Sequence, residues 1–310
     1  MNEIFVNLKR FDVPKSAGGI CPVDDPITWI ESVIRDTVEL GLGGNDEFHL
    51  VYLLPESLIP SAVKIKNTYL ADKTKNLSIG AQGTHWEDIS PGKNFGAFTT
   101  MLPAAAAKNL GCDWVIIGHS EERKAKRQIM AAFQPVVDTV PEVTQRANAA
   151  VDQLINAEVI NTLNTGMNVL LCIGESAEER GTGNFEDQKP RIQSVLKAQL
   201  LANLANVGDY LDGLKLVIGY EPIWAIGPGK TPPGEEYISF VSAYIKDVVS
   251  SELGLDVSVV YGGGLKEENA EMIAGIETID GGLIALTRFT GDIGFDVIGL
   301  KGIVIKYLSY

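Results

Sequence analysis

Short apolar runs recur along the chain, and between them apolar residues return every three or four positions. The runs are Ile4–Asn7, Phe48–Leu53, Leu77–Ala81, Trp114–Gly118, Asn168–Ile173, Leu214–Tyr220, Val257–Tyr261 and Gly281–Ala285. Several are nearly continuous in Val, Ile and Leu, the pattern of strands buried on both faces. The stretches between them read as amphipathic helices. Phe240, Val241, Tyr244, Ile245, Val248 and Val249 form one apolar stripe, and Glu186–Leu204 and Phe295–Leu308 carry others. Eight strand–helix alternations predict a closed (β/α)8 barrel, with a doubly wound sheet as the second possibility. No Pro/Gly/Ser-rich linker divides the chain, so residues 1–310 are expected to form a single domain.

One interval is too long for this scheme. Two helix-like stretches, split near Pro141, lie between Arg123 and Asn168. The second carries Val143, Ala147, Ala150, Leu154, Ile155, Val159 and Leu163 at helical spacing. One helix suffices between two parallel strands, so residues 124–167 read as an extended helical insertion after strand four. Extra packing on the barrel wall and a subunit contact are the two roles open to it.

Composition narrows the class of function. The 310 residues are 45% apolar and 21% charged, ordinary for a globular protein with a sizeable core. A net charge of −14 argues against a nucleic-acid surface and against anionic membranes, while leaving room for a locally positive site. No basic and apolar leader precedes Ile4, and no apolar run reaches membrane-spanning length. Cys21, Cys112 and Cys172 lack metal-ligand spacing, so reduced thiols in a cytoplasmic protein are expected.

In such a barrel, reactive groups sit at the carboxyl ends of the strands. Those ends read Asn7-Leu8-Lys9, Gly118-His119-Ser120-Glu121, Tyr220-Glu221-Pro222, Gly262-Gly263-Gly264 and Ala285-Leu286-Thr287-Arg288. His119 stands before a helix start rich in acids, where the positive helix end favours a neutral imidazole. Glu221 is followed by Pro222, by the apolar Ile223 and Trp224, and by a Gly227-Pro228-Gly229 tip. A fixed base beside a Gly-flanked loop suits an acid–base site under a lid. Three glycines after strand seven let backbone N–H groups approach a phosphate. Taken singly, His119 is a satisfied structural histidine, Glu221 a lysine's partner, Lys9 a surface cation and the glycines a turn. Their shared rim favours chemistry.

These segments resemble the triosephosphate isomerase family through nearly the whole chain. The matching runs are Asn7-x-Lys9, Gly80-Ala81-Gln82, Gly96-Ala97-Phe98-Thr99, Gly118-His119-Ser120-Glu121, Cys172-Ile173-Gly174-Glu175, Tyr220-Glu221-Pro222-Ile223-Trp224-Ala225-Ile226-Gly227 and Tyr261-Gly262-Gly263. The Glu-Pro-x-Trp-Ala-Ile-Gly segment is highly specific, and the short glycine motifs are not. The resemblance implies a TIM barrel and a cofactor-independent, metal-free aldose–ketose isomerase of glycolysis and gluconeogenesis. It implies that Glu221 moves a proton between adjacent carbons, that neutral His119 polarises the carbonyl, and that Lys9 stabilises the enediolate. Asn7 and Glu121 support them. Gly227, Gly263, Gly264 and Ala285 would meet the phosphate. A homodimer through the Gly80–Thr99 loop is also implied.

The departures cluster at the phosphate end. Gly264 replaces a serine, and Ala285-Leu286 replaces a Gly-Gly pair, followed by Thr287-Arg288-Phe289. Arg288 offers a charged fork in place of amides, or else is an ion-paired arginine outside the site. Gly83-Thr84-His85-Trp86 and the added Asp88–Lys93 alter the dimer loop. Glu122 stands where the family has arginine, and Pro228, in place of threonine, is expected to stiffen the lid. The acid–base set is kept while the cradle is rebuilt. The leading substrate is therefore a three-carbon sugar phosphate, dihydroxyacetone phosphate or glyceraldehyde 3-phosphate. The Thr-Arg-Phe run is similar to the tetrulose-phosphate isomerase branch of tetritol catabolism, which makes a four-carbon erythrulose phosphate the alternative. A silent barrel that binds a sugar phosphate is the third reading.

Overall fold

In a computed structural model describing residues 1–310 except Pro228, the eight runs are eight parallel strands closed into a barrel in chain order. They are β1 (Asn2–Asn7), β2 (Phe48–Leu54), β3 (Leu77–Ala81), β4 (Trp114–Ile117), β5 (Asn168–Ile173), β6 (Leu216–Tyr220), β7 (Ser258–Tyr261) and β8 (Gly281–Ile284). The doubly wound alternative is excluded because β1 pairs with β8, in register from Glu3 opposite Gly281 to Val6 opposite Ile284. The helices are α1 (Pro26–Glu39), α2 (Ile59–Lys66), α3 (Ala71–Thr74), α4 (Ala104–Asn109), α5 (Ser120–Phe133) and α6 (Pro141–Asn164). They continue with α7 (Ala177–Arg180), α8 (Phe185–Asn203), α9 (Glu235–Leu253), α10 (Ala270–Ala274) and α11 (Val297–Leu308).

Strand alternation splits the core into two layers, because successive side chains point to opposite faces. Phe5, Val51, Leu53, Trp114, Ile116, Leu170, Cys172, Val217, Val260 and Leu283 fill the barrel. Ile4, Val6, Leu50, Tyr52, Val115, Ile117, Leu171 and Ile218 face the helices. Each such apolar side chain contributes about 1.5–3 kcal/mol on full burial. The amino-terminal mouth carries a polar layer instead. The His49 ring bridges the Glu3 carboxylate and the Ser78 hydroxyl, 2.9 Å from each, and Lys215 also binds Glu3. Burial alone raises the Glu3 carboxyl, but His49 and Lys215 outweigh it and hold it below its ordinary value.

Between β4 and β5 the chain makes two helices, with Pro141 in the first turn of α6, where its missing N–H costs nothing. Ala147, Val151, Ile155, Val159 and Leu163 are buried at intervals of four, the spacing of one helix face. Asp152 and Glu158 are buried with them, which the apolar pattern did not foretell.

Candidate active site

The second residue after β1 sets the first corner. Lys9 has φ of +32°, which a non-glycine residue adopts only when its surroundings hold it there. Its N–H donates to Asn7 Oδ1 at 3.0 Å. Gln82, at the end of β3, donates from Nε2 to Asn7 Oδ1, to the Lys9 carbonyl at 2.8 Å and to the Leu53 carbonyl. Asn7 and Gln82 thus hold the backbone that projects Lys9. The Lys9 ammonium lies 2.7 Å from Glu121 Oε1. Burial raises the Glu121 carboxyl, and the hydrogen bond and charge of Lys9 overcome this and lower it. Both side chains are 44% exposed or more, so the pair contributes at most about 1 kcal/mol. Its use is to aim the ammonium.

His119 is the N-cap of α5, and its Nδ1 accepts the Glu121 N–H at 3.2 Å. A backbone N–H only donates, so Nδ1 is unprotonated and the ring proton is on Nε2. That Nε2 faces Glu221, 3.2 Å from Oε1. Glu221 follows β6, and its own N–H is tied to the Ile173 carbonyl at 2.8 Å. Its carboxylate accepts the Ser120 N–H at 2.9 Å and the Ser120 hydroxyl at 3.1 Å, with only 2% of the residue exposed. Gly262 leaves it room: a Cβ there would meet Glu221 Cγ at 2.9 Å and the Tyr220 carbonyl at 2.7 Å. Burial, then the Glu221 charge, push the Cys172 thiol far up, so Cys172 is packing rather than a nucleophile.

Glu175, after β5, anchors the root of the loop beyond Glu221. It is fully buried and accepts hydrogen bonds from Tyr220 (2.9 Å), Trp224 Nε1 (2.8 Å) and Tyr237 (2.7 Å). Burial raises its carboxyl more than these three donors lower it. The Trp224 ring also stacks under the Arg180 guanidinium, 3.6 Å from the ring centroid. Glu175, Ser120 and Gln82 belong to the runs quoted above, yet a run of sequence says nothing about which side chain is a buried acceptor for which donor. Gly227 lies beyond this anchor with φ of +118°, and the expectation of a stiffened tip falls on Pro228, outside the described residues.

On the rim between Glu221 and Lys9, Gly263 and Gly264 follow β7 and Ala285 follows β8, on neighbouring strands. Thr287 and Arg288 turn back in a small hairpin, both N–H groups donating to the Gly294 carbonyl. The Arg288 guanidinium points at Asp296 (3.2 Å) and Asp292 (3.8 Å) of that hairpin. Asp292 also meets Lys15 from the segment after β1, whose hydrogen bond and charge lower its carboxyl. Lys266 sits over the Phe289 ring at 4.1 Å. The structure therefore brings Lys9, Glu121, His119 and Glu221 together, and directs Arg288 to two carboxylates. The Glu122 substitution is also resolved: Arg123, the next residue, supplies the buried cation, reaching Gly118 O, Asp152 and Cys172 O at 2.7–2.9 Å.

The family model for triosephosphate isomerase matches residues 52–292 of this chain. The triosephosphate isomerase of Prosthecochloris aestuarii is 33% identical over 259 residues, 82% of this chain and 88% of that protein. That of Chloroherpeton thalassium is 32% identical over 211 residues, 67% of this chain and 69% of that one. Among solved structures, triosephosphate isomerase from Bartonella henselae superposes with a TM-score of 0.65 at 22% identity, covering 98% of this chain and 99% of that chain.

Proposed function

The chain belongs to the triosephosphate isomerase family, and from that premise we propose that it interconverts dihydroxyacetone phosphate and glyceraldehyde 3-phosphate through an enediolate. The observation that carries this is the facing of an N–H-bearing imidazole, His119, and a buried carboxylate, Glu221, 3.2 Å apart at the carboxyl end of a barrel. The Glu221 carboxylate leaves Ser120 and takes a proton from the carbon beside the carbonyl. His119 Nε2–H donates to the carbonyl oxygen as that oxygen gains negative charge, and the Lys9 ammonium stabilises the same charge. His119 passes its Nε2 proton to that oxygen and takes one from the hydroxyl on the neighbouring carbon, while Glu221 returns its proton to the former carbonyl carbon, so both proton transfers close and no atom is gained or lost. Gly227, Gly263, Gly264 and Ala285 hold the phosphate, and Arg288 reaches it by leaving Asp296. Closure of the loop over the enediolate excludes water, which otherwise permits loss of phosphate.

The relatives named above are triosephosphate isomerases, and they favour the three-carbon substrate over an erythrulose phosphate. Comparing kcat/KM of the purified protein on triose and tetrulose phosphates tests this, and a preference for the tetrulose would reverse it. A catalytically silent barrel would turn over neither. Dimerisation through the Gly80–Thr99 loop is our reading too, supported by Phe95, which stands 85% exposed in that loop. Sedimentation of the protein alone tests it. A cytoplasmic location rests on three free, buried cysteines.

A further inference from the structure

The peptide that launches His119 is gripped from both sides. Gly118 follows β4 with φ of +75°, and a Cβ there would meet the Cys172 carbonyl at 2.8 Å and Arg123 Nη2 at 2.9 Å, so the turn has no slack. Its carbonyl accepts Arg123 Nε at 2.7 Å. Its N–H donates to Glu122 Oε2 at 2.6 Å. Both side chains belong to the first turn of α5, so the helix reaches back to the residue before its own N-cap. Both are braced by α6. Arg123 is held by Asp152 at 2.8 Å, and Lys126 bridges Glu122 to Glu158, 2.8 Å from the latter. Lys126 is 9% exposed and Glu158 is 2% exposed.

We propose that Glu122 is a positioning residue for His119, fixed through Lys126 and Glu158, and that α6 thereby sets where the catalytic imidazole stands. The claim rests on the reading of His119 as the proton donor to the carbonyl. Two carboxylates around one buried ammonium leave one negative charge too many. Burial and the neighbouring Glu122 push Glu158 up to about 9, so it keeps its proton and shares it with Glu122. Burial raises Glu122 as well, but the proton shared by Glu158, Lys126 and the Gly118 N–H overcome this and hold it down. Glu122 is then the charged acceptor of the Gly118 N–H, a stronger tether than a neutral one. The same cluster touches the altered dimer loop. Lys126 lies 5.9 Å from the centre of the Trp86 ring, Asn161 of α6 donates to the Trp86 carbonyl, and Thr84 bonds Thr162. One helix thus backs both the catalytic turn and that loop.

Misplacing a catalytic group by about 1 Å costs about a hundredfold, so partial release of the turn is expected to cost about tenfold. The experiment compares wild type, Glu122→Ala and Glu122→Gln for kcat, KM and two NMR signals, the Gly118 amide and the His119 ring N–H. Glu122→Ala is expected to lower kcat about tenfold with KM within about twofold, to move the Gly118 amide upfield and to shift the His119 signal. Glu122→Gln keeps an acceptor and is expected to recover most of kcat, and it serves where the alanine variant does not fold. Unchanged kcat with only a lower melting temperature, or an unmoved His119 signal, would overturn the proposal. A wild type inactive on both triose and tetrulose phosphates would instead sink the functional reading. The two NMR signals then still decide whether Glu122 positions His119.

Discussion

His119 Nε2 stands 3.2 Å from Glu221 Oε1, and the same carboxylate is held by the N–H and hydroxyl of Ser120. The proposed base is thus stored beside the proposed proton donor, on the amino end of α5, where unpaired N–H groups favour a negative charge. Substrate has to replace three contacts before Glu221 can take a proton. Glu221→Gln keeps the shape and the Ser120 hydroxyl contact but removes the base. Its kcat is expected to fall about 10²–10⁴-fold with KM little changed. Steady-state kinetics decide, and near-wild-type turnover would remove Glu221 from its role.

Glu175 is expected to be the anchor of the lid root. Glu175→Leu strands the hydroxyls of Tyr220 and Tyr237 and the Trp224 indole, each of which donates to it. A buried donor without an acceptor costs about 1–3 kcal/mol. Denaturant unfolding is expected to show a loss of at least about 2 kcal/mol, together with a raised KM as the root of the loop loosens. A variant as stable as wild type would show that the three donors find other acceptors.

Arg288 is expected to contribute to binding and not to chemistry. Its guanidinium is 42% exposed and paired with Asp296 and Asp292. Swapping one exposed carboxylate for a phosphate gains little in water-screened surroundings. Arg288→Ala is therefore expected to raise KM for the triose phosphate about two- to tenfold while leaving kcat in place. An unchanged KM would place Arg288 outside the site, as a brace for its own hairpin.

Glu158 ties stability to pH. Its folded-state value, about 9, lies above the unfolded value near 4.5. Between these two the folded chain holds a proton that the unfolded chain releases, so this group lowers stability as pH rises through that window. Glu122 has the opposite shift: its stabilising contribution is present throughout that window and is lost only below it, as pH falls through its lowered value. Glu158→Gln keeps the shape and a donor but cannot ionise. It is expected to be more stable than wild type at pH 8, with a flatter stability profile from pH 5 to 9. Thermal melts across that range test this, and parallel profiles would show that Glu158 titrates normally.

Strand positions were readable to within about two residues, because burial on both faces writes a continuous apolar run into the chain. Asn168–Ile173 and Leu77–Ala81 coincide with the observed strands, while Gly118 falls just outside β4, since its φ of +75° cannot continue a strand. The rim positions of Lys9, His119 and Glu221 were readable from their places after strands one, four and six. The partners of charged residues were not. Arg123 meets Asp152 and Asn203, which lie 29 and 80 positions away. Tyr237 meets Glu175 across 62 positions. Nothing in Glu122 as a letter says that it accepts a backbone N–H four residues upstream, or that Lys126 joins it to Glu158.

Sequence alone determined the barrel and placed Lys9, His119 and Glu221 on its rim. Alternation, helical period and turn residues are local, and each is complete within about ten residues. Tertiary structure decided what each Glu does in the fold: Glu221 accepts from Ser120, Glu175 accepts from Tyr220, Trp224 and Tyr237, Glu122 accepts from the Gly118 N–H, and Arg288 faces Asp296 and Asp292. Those roles depend on burial and on the charge beside each carboxylate, and both exist only once the eighth strand has closed on the first.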